Sequence, residues 1–146
     1  MRKPLKQSFE TSSGEETELL GRKLAKTLLN KKIFLFGDLG VGKTTFLRGL
    51  AKALGVKSKI KSPTFVGEHI HKISDGQNFL HLDLYRKESL DVESKERLQE
   101  IFLDKSLTVA VEWSERLPRR LLPEKRIKIK FRELKNEARK IEVLVR

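Results

Sequence analysis

Between Glu15 and Leu29 apolar residues recur at helical spacing: Leu20, Leu24 and Leu28 fall with Leu19 on one stripe, behind a Ser/Gly-rich start. Lys31 and Lys32 then open IFLF (33–36), too short for a helix and apolar enough for a buried strand, closed by Gly37. A second helix is predicted from Gly42 or Lys43 to Leu54, with Phe46, Leu47, Leu50 and Leu54 inward and Gly55 as its stop. KSPTFVGEHIH (61–71) starts on a Ser-Pro turn and continues as an alternating strand. Asp75-Gly76 signals a hairpin, and NFLHLDLY (78–85) is the return strand. A short helix fits 93–103, and LTVAVE (107–112) has the near-continuous apolar pattern of a strand buried on both faces. Pro118 and Pro123 break the chain after that strand into short pieces. RIKIKF (126–131) and KIEVLV (140–145) alternate, with Ile127, Ile129 and Phe131, then Ile141, Val143 and Val145, on one side. Helices alternating with buried strands, succeeded by amphipathic strands, predict an α/β domain whose parallel core carries antiparallel additions.

Neither a repeat, a low-complexity tract nor a dividing linker interrupts this pattern, so residues 1–146 are expected to form one domain. Cysteine is absent, which excludes a disulfide scaffold, cysteine-ligated zinc, iron–sulfur clusters and thiolate catalysis. No apolar run approaches the roughly 18 residues that span a bilayer, and a cytoplasmic location is the expectation. The formal net charge is +12, and it is uneven: residues 1–73 carry 15 basic and 6 acidic side chains, residues 74–146 carry 17 and 14. A polyanionic partner (nucleotide, RNA or an acidic protein surface) and a merely solvated Lys-rich surface both account for that excess.

The chemistry enters at GDLGVGKTT, Gly37 to Thr45, a full GxxxxGKT match placed directly after a predicted strand and at the opening of a helix. Backbone N–H groups of Gly37, Asp38, Leu39, Gly40, Val41 and Gly42 can wrap a phosphate, and the helix start adds its positive end. Lys43 supplies a charge to the β and γ oxygens, the Thr44 hydroxyl is one ligand of an octahedral Mg²⁺, and Thr45 continues the loop. Such a cation needs a carboxylate at the end of a neighbouring buried strand. Glu112, ending TVAV, is the better candidate; Asp83, within HLDLY, either holds a metal-bound water or orients the attacking one. The sequence leaves open which of the two acts as a base. Thr64 in SPTF occupies the chain position of a switch threonine that senses the γ-phosphate. Trp113 is expected to pack, and His69, His71 and His81 show no metal-ligand spacing. Without an NKxD motif guanine specificity is not expected, and the chain is too short for a motor ATPase. A small-molecule kinase fits the size, with Arg116, Arg119 and Arg120 as its lid arginines, and a pure nucleic-acid-binding module is a third class.

GDLGVGKTTFLRGLAKALG (37–55), KSPTF (61–65), HLDLYR (81–86) and VEW (111–113), in that order, resemble the bacterial TsaE (YjeE) family, the ATPase component of the machinery that makes N6-threonylcarbamoyladenosine in tRNA. The resemblance covers nearly the whole chain. It implies a P-loop NTPase-like three-layer α/β domain with a mixed, largely parallel central sheet and antiparallel additions. It also implies ATP or ADP with Mg²⁺ as ligands and TsaD-like and TsaB-like proteins as partners. The product would be the modified nucleoside at position 37 of tRNAs reading codons that begin with adenine, with tRNA met indirectly through the complex. By motif, Lys43 is similar to the phosphate lysine, Thr44 and Glu112 to the Mg²⁺ ligands, Asp83 to the catalytic or metal-water aspartate and Thr64 to the switch residue. The segment before the first helix, FETSSGEE, places Thr11, Ser12 and Ser13 near the adenine. NEARK (136–140) keeps an arginine, Arg139, of a family stretch whose leading glycine-arginine pattern is lost.

Overall fold

The computed structural model describes residues 5–38, 40–57, 68–73, 76–84 and 90–146. Its strands are β1 (Leu5–Thr11), β2 (Lys32–Phe36), β3 (Glu68–Lys72), β4 (Asn78–Asp83), β5 (Leu107–Glu112), β6 (Ile127–Glu133) and β7 (Arg139–Val145). They form one sheet in the order β1-β7-β6-β2-β5-β4-β3. The central neighbours β6, β2, β5 and β4 run parallel, while β7, β1 and β3 are antiparallel to their neighbours. The chain therefore has the α/β architecture with a parallel core and antiparallel additions on both edges that the hydrophobic pattern predicts.

Helices lie on both faces because the central strands bury both. On one face α1 (Gly14–Lys23), α2 (Ala25–Leu28) and α3 (Lys43–Leu54) cover Ile33 and Leu35 of β2, Ala110 of β5, Phe79 of β4 and the apolar side of β6 and β7. On the other, α4 (Val92–Leu103) sets Leu98, Ile101 and Phe102 on Phe34, Leu80, Leu82, Val109 and Val111. Residue alternation along each strand divides the two cores. Three of these helices are bounded by local chemistry. Ser13 caps α1 by accepting from the Glu16 amide, Asp91 caps α4 by accepting from the Ser94 amide, and Gly55 closes α3 in the left-handed region.

One expectation needs correction. The helix expected over 15–29 is interrupted at Leu24, which separates α1 from α2. Of the segment 61–71, expected as a Ser-Pro turn and then a strand, the described part is the strand Glu68–Lys72; residues 58–67 lie outside the described residues, as does Asp75 of the hairpin. Finally, β1 was not anticipated. It is an edge strand in which only Phe9 and Thr11 are covered while Leu5 and Gln7 on the same side are exposed, so it carries no apolar alternation.

Candidate functional site

The site forms where the parallel strands end. β2 stops at Phe36, and Gly37 turns the chain with φ 144°; a Cβ there would stand 2.8 Å from the Phe131 carbonyl oxygen, so a side chain does not fit. Val41 is 4% exposed and anchors the loop in the first core, while Asp38 and Gly40 face outward. α3 begins at Lys43, and the Phe46 amide donates to the Gly42 carbonyl to close its first turn. The start of α3 thus lies beside the glycine loop at the end of β2, and a helix start is a place that attracts a phosphate.

Lys43 is buried beneath the loop; its ammonium donates to the Gly37 carbonyl and lies 4.5 Å from the centroid of the Trp113 ring. Trp113 adopts φ 59°, a left-handed conformation that turns the chain immediately after β5. Beyond it, Glu115 accepts from the Gly37 amide at 3.2 Å, and Ser114 donates to the Val111 carbonyl at 2.8 Å. Tryptophan packing was expected, and the structure places it against the phosphate-loop lysine.

Glu112 ends β5 on the α3 side of the sheet. Thr44 donates its hydroxyl to Oε1 of Glu112 at 3.2 Å, and His81 meets Oε2 at 2.6 Å. Both ring and carboxylate are buried, and Nδ1 of His81 has no hydrogen-bond partner. With the carboxylate ionised, Nε2 must carry the bridging proton. Asp83 pairs with Glu112 across the parallel β4–β5 ladder and therefore sits at the same sheet end. His81 lies two residues before Asp83 and points to the same face. Sequence reading set His81 aside because it sought metal-ligand spacing; HxD on a buried strand next to Glu112 was the available signal.

The other flank is built by β1, α1 and β7. Thr11 and Thr17 share a buried hydroxyl hydrogen bond at 2.7 Å, Thr17 donates to the Ser13 carbonyl at 3.0 Å, and the Ser12 amide donates to Glu16 at 2.6 Å. Thr11 pairs with Arg139 across β1–β7. A Cβ on Gly42 would stand 3.5 Å from Cγ2 of Thr17 and 3.6 Å from Cδ of Arg139, so this flank borders the loop directly. Thr45 turns toward the start of α1, near Gly14. Arg139 itself donates to the Glu137 carbonyl. Leu39, Thr64 and Arg86 lie outside the described residues. Of the arginines considered for a kinase lid, Arg119 lies instead near Arg126 and Lys128, at the opposite end of β6 from the loop.

Whether these residues suit a divalent cation depends on their donors. A hydroxyl and a carboxylate oxygen 3.2 Å apart beside a phosphate-binding loop are hard oxygen donors, as Mg²⁺ requires when phosphates and waters complete its shell. Among the described residues no group of three or more His, Cys, Asp or Glu could hold a metal by itself. The donor set fits a cation shared with a nucleotide and not a dedicated protein cage.

A parallel strand feeding a GxxxxGKT loop into a helix, inside a helix–sheet–helix domain, defines a P-loop NTPase-like protein. The chain belongs to the TsaE family: residues 11–141 match the description "Threonylcarbamoyl adenosine biosynthesis protein TsaE". It is 41% identical over 101 residues to a tRNA threonylcarbamoyladenosine biosynthesis protein TsaE of Streptomyces coelicolor, a match covering 66% of each chain. The protein of the same description from Bacillus subtilis is 33% identical over 135 residues, covering 91% of this chain and 82% of the relative. The crystal structure of Bacillus subtilis YdiB superposes with a TM-score of 0.75 at 25% identity, covering 99% of this chain and 88% of that one.

Proposed function

We propose that this chain is the Mg²⁺-dependent ATP-binding and hydrolysing subunit of tRNA threonylcarbamoyladenosine biosynthesis, slow alone and acting with TsaD-like and TsaB-like partners. The observation that carries the reading is the convergence of Lys43, Thr44 and Glu112 at the mouth of the glycine loop, in a chain of this family. Bound Mg²⁺ would supply positive charge against the charge developing on the phosphates. The chain's own groups do the rest. The loop amides and the Lys43 ammonium hold the phosphates, and Thr44 and Glu112 hold the cation. His81 keeps the Glu112 carboxylate oriented through its second oxygen, an outer-shell hydrogen bond of the kind that fixes metal ligands. Asp83, aligned beside Glu112, orients the attacking water. Thr11, Ser12 and Arg139 border the nucleotide from the β1–β7 flank.

Calorimetry with ATP, ADP and GTP, with and without Mg²⁺, tests the ligand. ATP and ADP should bind, and Lys43→Ala should lose most of that affinity; absence of binding or a preference for GTP would refute the reading. Phosphate release should rise when TsaD-like and TsaB-like proteins from the same source are added, and Asp83→Asn should bind ATP yet lose that stimulated turnover. Labelled γ-phosphate recovered on a small metabolite would instead make the protein a kinase.

A further inference from the structure

Strict alternation along β6 sends Ile127, Ile129 and Phe131 into the first core and turns Lys128, Lys130 and Arg132 to the other side of the sheet. The register carries that side across two more strands. Lys128 lies beside Leu144 and Lys6, Lys130 beside Glu142 and Ser8, and Arg132 beside Lys140 and Glu10. The second core, beneath α4, ends at β2 and takes in no residue of β6, β7 or β1. Among the described residues this half of the sheet therefore has a helix layer on one face only, and its bare face is cationic.

The charges on that face are not balanced. Glu142 accepts from Lys6 at 2.9 Å, lies 3.8 Å from Lys140 and also feels Arg132, so one carboxylate is shared among three cations. Lys128, Lys130 and Arg132 have no carboxylate within ion-pair distance among the described residues, and they repeat every second residue along one strand. At the start of β6 lies a cavity of about 320 Å³ whose largely apolar lining, Phe102 and Val145 among it, is rimmed by Lys31, Lys105, Arg126 and Arg146. The acid in that lining, Asp104, already accepts from the amide and hydroxyl of Ser106. Nε of Arg126 is buried without a hydrogen-bond partner. Lys128 is half-buried with its ammonium 5.8 Å from the centroid of the Phe36 ring, and burial first, then Arg126, Lys130, Arg119 and Arg146, hold its amine below its usual range.

We propose that the bare face of β6, β7 and β1, continued into the Arg126 cavity, is a track for the phosphodiester backbone of RNA. An open row of lysine and arginine offers charge to successive phosphates. A protein partner is disfavoured because interface cores are poor in lysine and built on aromatic anchors, whereas Leu144 is the only apolar side chain of the nine-residue grid. The choice of RNA among polyanions rests on the proposed function; the surface itself does not. Contacts of this kind carry no sequence information, so binding is non-specific and steeply salt-dependent.

Fluorescence anisotropy of the full chain with a labelled tRNA transcript, over a range of salt, tests the track. The triple substitution Lys128→Gln, Lys130→Gln, Arg132→Gln should weaken binding at least ten-fold at low salt. It should also flatten the slope of log affinity against log salt by about 2–3, at roughly 0.7–0.9 per phosphate contact. Removing three exposed lysines elsewhere (Lys23, Lys26 and Lys57 to Gln) should cost less than two-fold. Equal losses in the two triples, unchanged affinity in the β6 triple, or a β6 triple that loses docking to an acidic protein while keeping tRNA would overturn the proposal. ATP calorimetry on the β6 triple should match the parent, showing an intact fold. Lys43→Ala should keep its tRNA affinity, so failure of the track and failure of the ATP reading are separately visible.

Discussion

At the scale of single residues, the contact between His81 and Glu112 decides how well the cation site is formed. Removing the ring strands a buried carboxylate oxygen, a loss of about 1–3 kcal/mol for an unsatisfied polar group. His81→Leu should therefore lower the urea midpoint and weaken Mg²⁺-dependent ATP binding more than Mg²⁺-independent binding. His81→Gln, which keeps a donor, should recover part of both; equal defects in the two variants would mean that the ring only fills space. His71 gives a second expectation. Burial, aided by His69 and His81, lowers its affinity for a proton relative to the unfolded chain. Between its lowered folded value and the ordinary histidine value of 6.5 the unfolded state holds more protons, so stability rises with pH through that window and levels off above it. Chemical denaturation at pH 5.5 and 7.5 should show the rise, and His71→Gln should flatten it.

At the scale of elements, α1 and α3 approach through two glycines. A Cβ on Gly49 would stand 1.8 Å from the Glu18 carbonyl oxygen, and one on Gly21 would stand 2.1 Å from that of Phe46. Alanine would improve helix propensity by about 1 kcal/mol, yet overpacking against backbone costs about 1–3 kcal/mol or more. Gly49→Ala should thus lower the melting temperature, and because α3 opens at the phosphate loop it should weaken ATP binding as well; a raised melting temperature would contradict the packing. This contact also marks where the sequence stops being legible. β5, β6 and α3 were legible because their apolar positions repeat with a clean period, and the loop because its glycines and lysine hold fixed spacing. The helix–helix contact was not, since a glycine inside a helix has no pattern that names its neighbour. β1 was hidden by its edge position, and His81 because its partner lies 31 residues away on another strand.

At the scale of the whole molecule, the phosphate loop and the basic track use different faces of one sheet. The loop lies with α1 and α3 at the ends of the parallel strands, while the track lies on the bare face of the antiparallel half. No described helix connects them, so nucleotide and RNA should stabilise the native state independently. A ligand at 100 times its dissociation constant adds about 2.7 kcal/mol to unfolding. For a chain of this length that corresponds to a rise of roughly 5–10 °C in melting temperature. Thermal melts with Mg²⁺–ATP should show such a rise for the parent and the β6 triple. Lys43→Ala should lose it, and Glu112→Ala should lose the part that depends on Mg²⁺. With tRNA at low salt the pattern should reverse: Lys43→Ala keeps the shift and the β6 triple loses it. With both ligands the parent's increments should add. A combined shift well above or below that sum would mean that the loop and the track are coupled through the shared strand β6, whose Phe131 carbonyl lies against Gly37 while Arg132 lies on the track.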